Sequence, residues 1–533
     1  MPNMLVFICF FICLYGNSFY LCNIGLEGIG SKLYAGIVHR KLKRWSAKPI
    51  ETQDAVLRQL INKAKITWFG IDHGFELIDD YEHFKTLVPL RDYEGLKPYV
   101  DLITEKGMKD VLWPGLPKYF AKTSGTTSGT KYIPITKAST KYHFKSASEA
   151  FFNYAHLTGN ASFFDGKLIF LSGSPEMTTT GPAKILTGRL SGIVNHFIPS
   201  IFKGNQVPSW DTNCIDDWET KVDAIVKETI GLDMRLISGI PPWIQMYFDK
   251  MQEQTGKTIA ESFPKLSVIG YGGVNFEPYR AKLTTSLGKV VEGVETYPAS
   301  EGFIAYQDVP DSMKKGPEDE GMLLLLNNGI FYEFVPVEEW SKKNPTRISI
   351  KDVKIGVNYV LILNTNAGLW GYNIGDTIEF VSTSPYRVKV TGRLKQFISA
   401  FGEHVIVSEV ESALMEVCKN TGTQVTEFTV APKVVAEAGE GLPYHEWFIE
   451  FEKEPSDIDS FKLQLDHALQ QRNSYYFDLI QGNILQPLII RKMNKNTFIE
   501  YMKSQGKLGG QHKVPRIAND RKVADEMGDY ITK

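Results

Sequence analysis

Cysteine is scarce in this chain. Its 533 residues hold five, Cys9, Cys13, Cys22, Cys214 and Cys418, and none has the company of a metal site. A disulfide-framed fold is therefore not expected, and a reducing, cytoplasmic compartment is. Charge of one sign is missing too: 59 Lys and Arg stand against 61 Asp and Glu, a net charge of −2. A balanced chain has no overall field to draw nucleic acid or anionic lipid, so neither is expected as a partner. No G-x-S-x-G segment occurs, which excludes the usual strained-turn serine nucleophile. Repeats and low-complexity tracts are also absent. The longest apolar run, Met4–Tyr15 (MLVFICFFICLY), falls short of the about 20 residues that span a bilayer.

That run has the length of a signal-peptide core, yet no Lys or Arg precedes it and no A-x-A-like site comes after it. Three readings stay open: a start placed too far upstream, a real anchor or signal, or a buried element. Membrane contact is expected only if this segment is real. The rest of the chain reads as a globular protein of two or three domains, with 43% hydrophobic and 23% charged residues over the whole sequence. Residues 32–48 are basic and amphipathic, either a solvated surface helix or a membrane-surface one. Thr52–Lys65 has helical spacing. KLIFLSG (167–173), MRLISG (234–239) and LSVIGYGG (266–273) read as strands, and Ile240-Pro241 begins a helix. Strands alternating with helices predict an α/β domain with a largely parallel sheet. From Met322 the texture turns strand-rich with Asn/Gly turns, predicting a β-subdomain. The expected division is an apolar extension (1–25), a large domain (26–390) and a smaller, mobile α+β domain (391–533).

One stretch carries more chemistry. TSGTTSGTKYIPIT (123–136) packs hydroxyls and two glycines ahead of Lys131. Glycines let backbone N–H groups turn towards an anion, and hydroxyls add donors. The Walker spacing G-x-x-x-x-G-K-[ST] is not met, since Gly125 and Gly129 have three residues between them. Thr136 is placed to cap a helix, which predicts a loop leading into a helix N-terminus, one basis for anion binding. A plain flexible surface loop has the same composition.

In order along the chain, TWFGIDHGF (67–75), TSGTTSGTKYIPIT, RLISGIPPW (235–243), LSVIGYGG, YPASEG (297–302), YNIGD (372–376), TGRLKQFISAFGEHV (391–405) and GGQHKVPRI (509–517) resemble motifs of one family. They resemble the adenylate-forming superfamily, and within it the auxin-responsive Gretchen Hagen family of acyl-acid amido synthetases. The resemblance implies ATP and Mg²⁺ as cofactors, and a carboxylic acid and an amino acid as substrates. It implies that Thr123, Ser124, Thr126, Thr127 and Ser128 wrap phosphates, with Lys131 beside them. It sets Gly272 and Gly273 at the adenine edge and Tyr297 on its face. Glu301 would hold the metal, Asp376 would accept from the ribose hydroxyls, and Arg393 would reach ribose or phosphate. Lys513, on a Gly-rich loop, would stabilise charge on the α-phosphate. Lys395 stands where many members carry Asp, which puts the hinge role there in doubt. Glu403 and His404 would face the site after domain rotation. Walls for the acid are expected from 181–193 and 235–247. An acyl-CoA ligase, or a non-catalytic binder of a small acid or nucleotide, stays open beside the amide-forming reading.

Overall fold

A computed structural model describes residues 27–126, 129–198, 203–273, 276–340, 342–394, 397–398, 400–403, 405–434, 441–505 and 515–528. Met4–Tyr15, Thr127, Ser128, Lys395, His404 and Lys513 lie outside them. The chain opens with α1 (Glu27–Ser46) and α2 (Pro49–Ala64), the latter carrying its proline in the first turn, where no amide partner is needed. α1 buries Ala35, Val38 and Leu42, a single stripe at helical spacing. After a short helical turn at Trp68–Asp72 comes α3 (Tyr81–Leu87).

The hydroxyl-rich segment is not the predicted loop into a helix. It is the tip of a hairpin, β1 (Tyr119–Thr126) pairing antiparallel with β2 (Gly129–Ile135). The alternating run KYIPI fits a pleated strand, and it intervenes before α4 (Lys137–Thr158) begins. Thr136 is the N-cap, as expected, in a reciprocal capping box with Ser139. It is buried, and its hydroxyl donates to the Asn366 carbonyl at 2.7 Å. A helix N-terminus is therefore not what this segment offers an anion.

β3 (Lys167–Phe170), β4 (Thr178–Thr180) and β5 (Ile185–Gly188) lead to the short helix α5 (Leu190–Asn195). β1, β2, β4 and β5 form a small sheet in the order β2-β1-β5-β4. β6 (Gln206–Val207), α6 (Trp218–Thr229), β7 (Met234–Gly239), α7 (Pro241–Thr255), β8 (Val268–Gly272) and β9 (Glu292–Ala299) alternate as predicted. The strand-rich half adds β10 (Gly302–Tyr306), β11 (Met322–Leu324), β12 (Ile330–Pro336), β13 (Asn358–Thr365), β14 (Tyr372–Thr383) and β15 (Tyr386–Arg393). Both halves share one eleven-stranded sheet, ordered β12-β13-β14-β15-β11-β10-β9-β8-β7-β3-β6. Pairing is parallel from β6 through β9 and antiparallel from β9 onwards. The β-subdomain thus continues the parallel half rather than sitting apart from it.

Beyond β15 come β16 (Phe397–Ile398), β17 (Val405–Ile406) and α8 (Val407–Thr421). β18 (Gln424–Lys433), β19 (Tyr444–Lys453), α9 (Ile458–Arg472), α10 (Ser474–Gln481) and β20 (Ile489–Lys492) build a small α+β unit, to which helices at Thr497–Ser504 and Lys522–Met527 are added. Its apolar side chains, among them Trp447 and Phe461, join Ile237, Ile244 and Tyr247 of the large domain in one cluster.

The antiparallel half is tied to the N-terminal helices through a buried carboxylate. Glu333 on β12 is fully enclosed. It accepts from Arg347 Nε (3.0 Å) and Nη2 (2.7 Å), Tyr81 Oη (3.0 Å) and Asn364 Nδ2 (2.8 Å). Arg347 also donates to the Val88 carbonyl at 2.5 Å, which ends α3 against the sheet. Burial, and then the Glu333 carboxylate, push the Tyr81 phenol far above its usual range. Removing one partner of such a pair leaves an uncompensated charge, which costs about 3–5 kcal/mol. Arg347→Met should therefore lower the thermal midpoint of the large domain by several degrees. Adding Glu333→Leu should recover much of that loss; a double variant no better than the single one would contradict the charge-burial account.

Candidate functional site

The parallel strands β3, β7 and β8 end side by side at Ser172–Gly173, Gly239–Ile240 and Gly272–Gly273. Crevices outside the carboxyl ends of such strands are where α/β sheets bind ligands. Gly272 lies against β9: a Cβ there would sit 2.1 Å from the Thr296 carbonyl oxygen. Gly273 turns the chain with φ +83°, the left-handed region that favours glycine. Its missing side chain would come 3.2 Å from Ile240, at the head of the neighbouring turn. Strand packing and backbone conformation thus account for both glycines without a ligand.

β9 continues from Thr296 into Tyr297, then turns tightly through Ser300–Glu301 into β10. This hairpin end meets the start of β14, although β11 and β15 lie between β10 and β14 in the sheet order. Tyr297 is buried and its hydroxyl donates to the carboxylate of Asp376, which is buried as well. The Tyr372 hydroxyl donates to Glu301 Oε1 at 3.4 Å. Gly375, at φ +91°, bends β14 just ahead of Asp376, and its amide donates to Asn373 Oδ1 at 2.8 Å. Arg393 faces Asp376 in backbone register across β15. Four predicted residues, Gly272, Tyr297, Glu301 and Asp376, are therefore brought to one end of the sheet, with the Arg393 backbone alongside.

The hydroxyl segment lies on the small sheet. Thr123 pairs in register with Lys131, whose ammonium lies 5.9 Å from the centre of the Tyr93 ring. Ser124 and Thr126 are placed by their backbone on β1. Glu403, expected to face the site after domain rotation, is enclosed within the small domain in this arrangement. Its Oε1 lies 2.8 Å from His445 Nε2, and its Oε2 accepts the Phe401 amide at 2.9 Å. The adjoining Gly402 does approach the crevice, since a Cβ there would meet Ile240 at 3.6 Å. Of the expected walls, Arg235 lies at the other end of β7, where it pairs with Asp233 and donates to the Ser162 carbonyl.

Sequence reasoning missed a group of residues at the domain seam. Arg189, between β5 and α5, forms an ion pair with Asp478 on α10 and lies 4.8 Å from the Tyr475 ring centre. The Tyr475 hydroxyl donates to the Lys122 carbonyl at 3.4 Å, one residue before Thr123. Lys221 on α6 is almost wholly buried, donating to the Ser172 (3.0 Å) and Asn213 (2.6 Å) carbonyls. Burial pulls its ammonium down to about 8. It pins the turn at the end of β3. Arg189 and Asp478 are 289 residues apart, so no local pattern could have paired them.

The donor set is all oxygen at Glu301 and Asp376, and no cluster of three or more His, Cys, Asp or Glu fit for a metal occurs among the described residues. A single carboxylate fits a Mg²⁺ whose shell is completed by phosphate oxygens and water, not by a protein cage. A tyrosine-held acid and a glycine edge bare of side chains fit a nucleoside.

Known proteins resemble the chain along most of its length. The GH3 family N-terminal domain matches residues 38–220, the GH3 family central domain 323–393 and the GH3 family C-terminal domain 408–522. Indole-3-acetic acid-amido synthetase GH3.10 of Arabidopsis thaliana is 24% identical over 555 residues, 87% of this chain and 91% of its own. Indole-3-acetic acid-amido synthetase GH3.3 of the same plant is 25% identical over 219 residues, 39% of this chain, which spans only 36% of that relative. A solved structure, AtGH3.15 acyl acid amido synthetase in complex with 2,4-DB, superposes with a TM-score of 0.59 at 16% identity. It covers 96% of this chain and 98% of its own. The three domain matches, in order and together covering more than half of the chain, establish that it belongs to the GH3 family.

Proposed function

We propose that this protein is an ATP-dependent ligase that joins a carboxylic acid to an amine, of amino-acid type, through an acyl-adenylate. The family membership supports the reaction class. The observation that carries the site is the meeting of Tyr297, Asp376, Glu301 and Tyr372 where β8, β9 and β14 converge. In the first step a carboxylate oxygen attacks the α-phosphorus of ATP, an O–P bond forms, and pyrophosphate leaves. In the second, an amine nitrogen attacks the acyl carbonyl. A C–N bond forms, the C–O bond to AMP breaks, and the amine gives up a proton. Both steps bring charged groups together, so positioning and charge compensation are what the protein must supply.

Asp376, already oriented by the Tyr297 hydroxyl, would accept from the ribose hydroxyls. Tyr297 would border the adenine, with the Gly272–Gly273 backbone at its edge. Glu301 would hold Mg²⁺, which when bound neutralises charge on the phosphates. Thr123, Ser124, Thr126, Thr127 and Ser128 would hold the departing pyrophosphate, with Lys131 nearby. Arg393 would reach ribose or phosphate, and Lys513 would compensate charge on the α-phosphate. The backbone next to Lys513 is anchored on the small domain: the Thr429 hydroxyl donates to the Pro515 carbonyl at 2.6 Å, and Ile517 bridges to Val430. That anchoring would make Lys513 move with the small domain. We assign the reaction to the cytoplasm, the compartment that the scarcity of cysteine favours.

Carboxylate-dependent ATP–pyrophosphate exchange over a panel of acids, followed by amino acids or CoA with product masses recorded, tests the reading. Exchange with at least one acid and an amide product are expected; a thioester product would instead make the protein an acyl-CoA ligase, and no exchange in folded protein would remove the ligase reading. Asp376→Asn should raise KM for ATP at least tenfold, with a smaller change in kcat and an unchanged melting midpoint. Lys513→Ala should lower exchange on the order of 100-fold, the size expected when one charge-compensating donor is removed from a transition state. A full exchange rate in that variant would remove Lys513 from its role.

A further inference from the structure

β1 has a different strand on each edge, and both pairings run out close together. Towards β5 the parallel register ends at Ala121 opposite Gly188, where the chain turns off through Arg189 into α5. Towards β2 the last regular pair is Thr123 with Lys131, and the register then shifts before Thr126 meets Gly129. Opposed residues of an antiparallel pair alternate between exchanging both backbone hydrogen bonds and exchanging neither. The Tyr132 amide donates to the Tyr93 hydroxyl at 2.8 Å, so Tyr132 and its partner Lys122 exchange neither. The Lys122 carbonyl therefore points away from β2, to the edge that β5 has just left. An acceptor on an open strand edge is free to take a donor from another element.

That donor comes from the small domain. The Tyr475 hydroxyl reaches the Lys122 carbonyl at 3.4 Å and also hydrogen-bonds to the Thr123 side chain. Burial pushes the Tyr475 phenol up, so it keeps its proton at neutral pH. Its ring is held from across the seam, with the Arg189 guanidinium 4.8 Å from the ring centre. Arg189 is in turn paired with Asp478, which stands one helical turn on from Tyr475, on the same face of α10. Asn473 caps α10 by accepting the Tyr476 amide at 2.8 Å, and it donates to Glu409 of α8 at 3.0 Å. The helical turn that carries Tyr475 is thereby fixed to the rest of its domain.

We propose that Tyr475 is a positioning residue for anion binding at the hydroxyl hairpin, held in place by Arg189 and Asp478, and that the small domain thereby completes the pyrophosphate end of the site. This rests on the ligase reading and on Thr123 as a phosphate donor. Phosphate oxygens only accept, so Thr123 has to turn its one hydroxyl proton towards them. Its lone pairs then take the Tyr475 proton, and its oxygen stays where the hairpin put it. A chain from Tyr475 through Thr123 to phosphate needs two hydroxyl rotations and no backbone movement. Phenylalanine at 475 would remove this donor while keeping the ring that Arg189 covers.

Carboxylate-dependent ATP–pyrophosphate exchange, with pyrophosphate and acid varied separately, tests the proposal. Tyr475→Phe should raise KM for pyrophosphate about fivefold, the worth of one net hydrogen bond. KM for the acid and kcat should change by less than about twofold, with the melting midpoint unchanged. Arg189→Gln should give a similar rise. The double variant Arg189→Gln/Tyr475→Phe should lose no more than either single one, since both act on one contact. An unchanged pyrophosphate KM in Tyr475→Phe would overturn the proposal. An equal rise in both KM values with a lower midpoint would do the same, since that marks a merely structural tyrosine. Full additivity would overturn the part given to Arg189, which would then act independently of Tyr475. Exchange absent from the unsubstituted protein would overturn the ligase reading and this proposal with it, whereas exchange that Tyr475→Phe leaves unaltered would overturn this proposal alone.

Discussion

The close approach of Gly272 to the Thr296 carbonyl is the constraint on which the rest of this site depends. It allows β8 and β9 to pair in parallel right up to the crevice. β9 is the strand at which the sheet changes from parallel to antiparallel. The parallel half supplies open strand ends, and the antiparallel half supplies the β9–β10 hairpin that carries Tyr297 and Glu301. A side chain at position 272 would push the two strands apart at the one place where both halves contribute to a site. Gly273 then leaves the strand in a left-handed conformation, with Ile240 standing beside it. Two glycines that look like a nucleotide fingerprint are thus demanded first by the sheet, and any nucleotide edge is inherited from that packing.

Much of the fold is legible in the sequence because its signals are local. Proline at the head of α2 and α7, the Thr136 cap and the apolar strand runs place most elements to within a few residues. The hydroxyl segment misleads in its local form. Gly and Thr suggest a loop that leads to a helix, whereas KYIPI pairs with YFAKT and closes a hairpin. Composition describes the tip correctly and says nothing about the strand pairing that builds it. The β-subdomain is likewise readable from its texture, while its membership of one continuous sheet depends on β11 pairing with β10 and β15. That register is a non-local fact, and no periodicity records it.

The site is legible as a set of motifs but not as a set of contacts. Tyr297 and Asp376 belong to separate motifs that the resemblance gives separate tasks, yet they are hydrogen-bonded partners, so each sets the orientation of the other. Glu403 shows the reverse. A carboxylate just past the hinge is attractive as a reacting group, but here it is satisfied by His445 and the Phe401 amide in a fully buried setting. Taking a buried carboxyl group away from its hydrogen-bond partners is expensive, so Glu403 is better suited to holding the Phe401–Glu403 segment to β19 than to exchanging protons in the crevice.

The seam between the two domains adds a mechanical consequence. Asp478 and Tyr475 sit on one short helix, and they grip Arg189 and the Lys122 carbonyl on either side of β1 and β5. The small domain therefore contacts the strand that leads into the hydroxyl-rich tip. Any rotation of that domain must release this grip, because Arg189 and Asp478 are fixed to different bodies. Phosphate held at the tip and the domain docked over it would then share a strand, β1, and occupancy of one would be felt by the other through its backbone. Such a coupling would need no added switch. It would arise from placing an ion pair and the hydroxyl hairpin on the same small sheet.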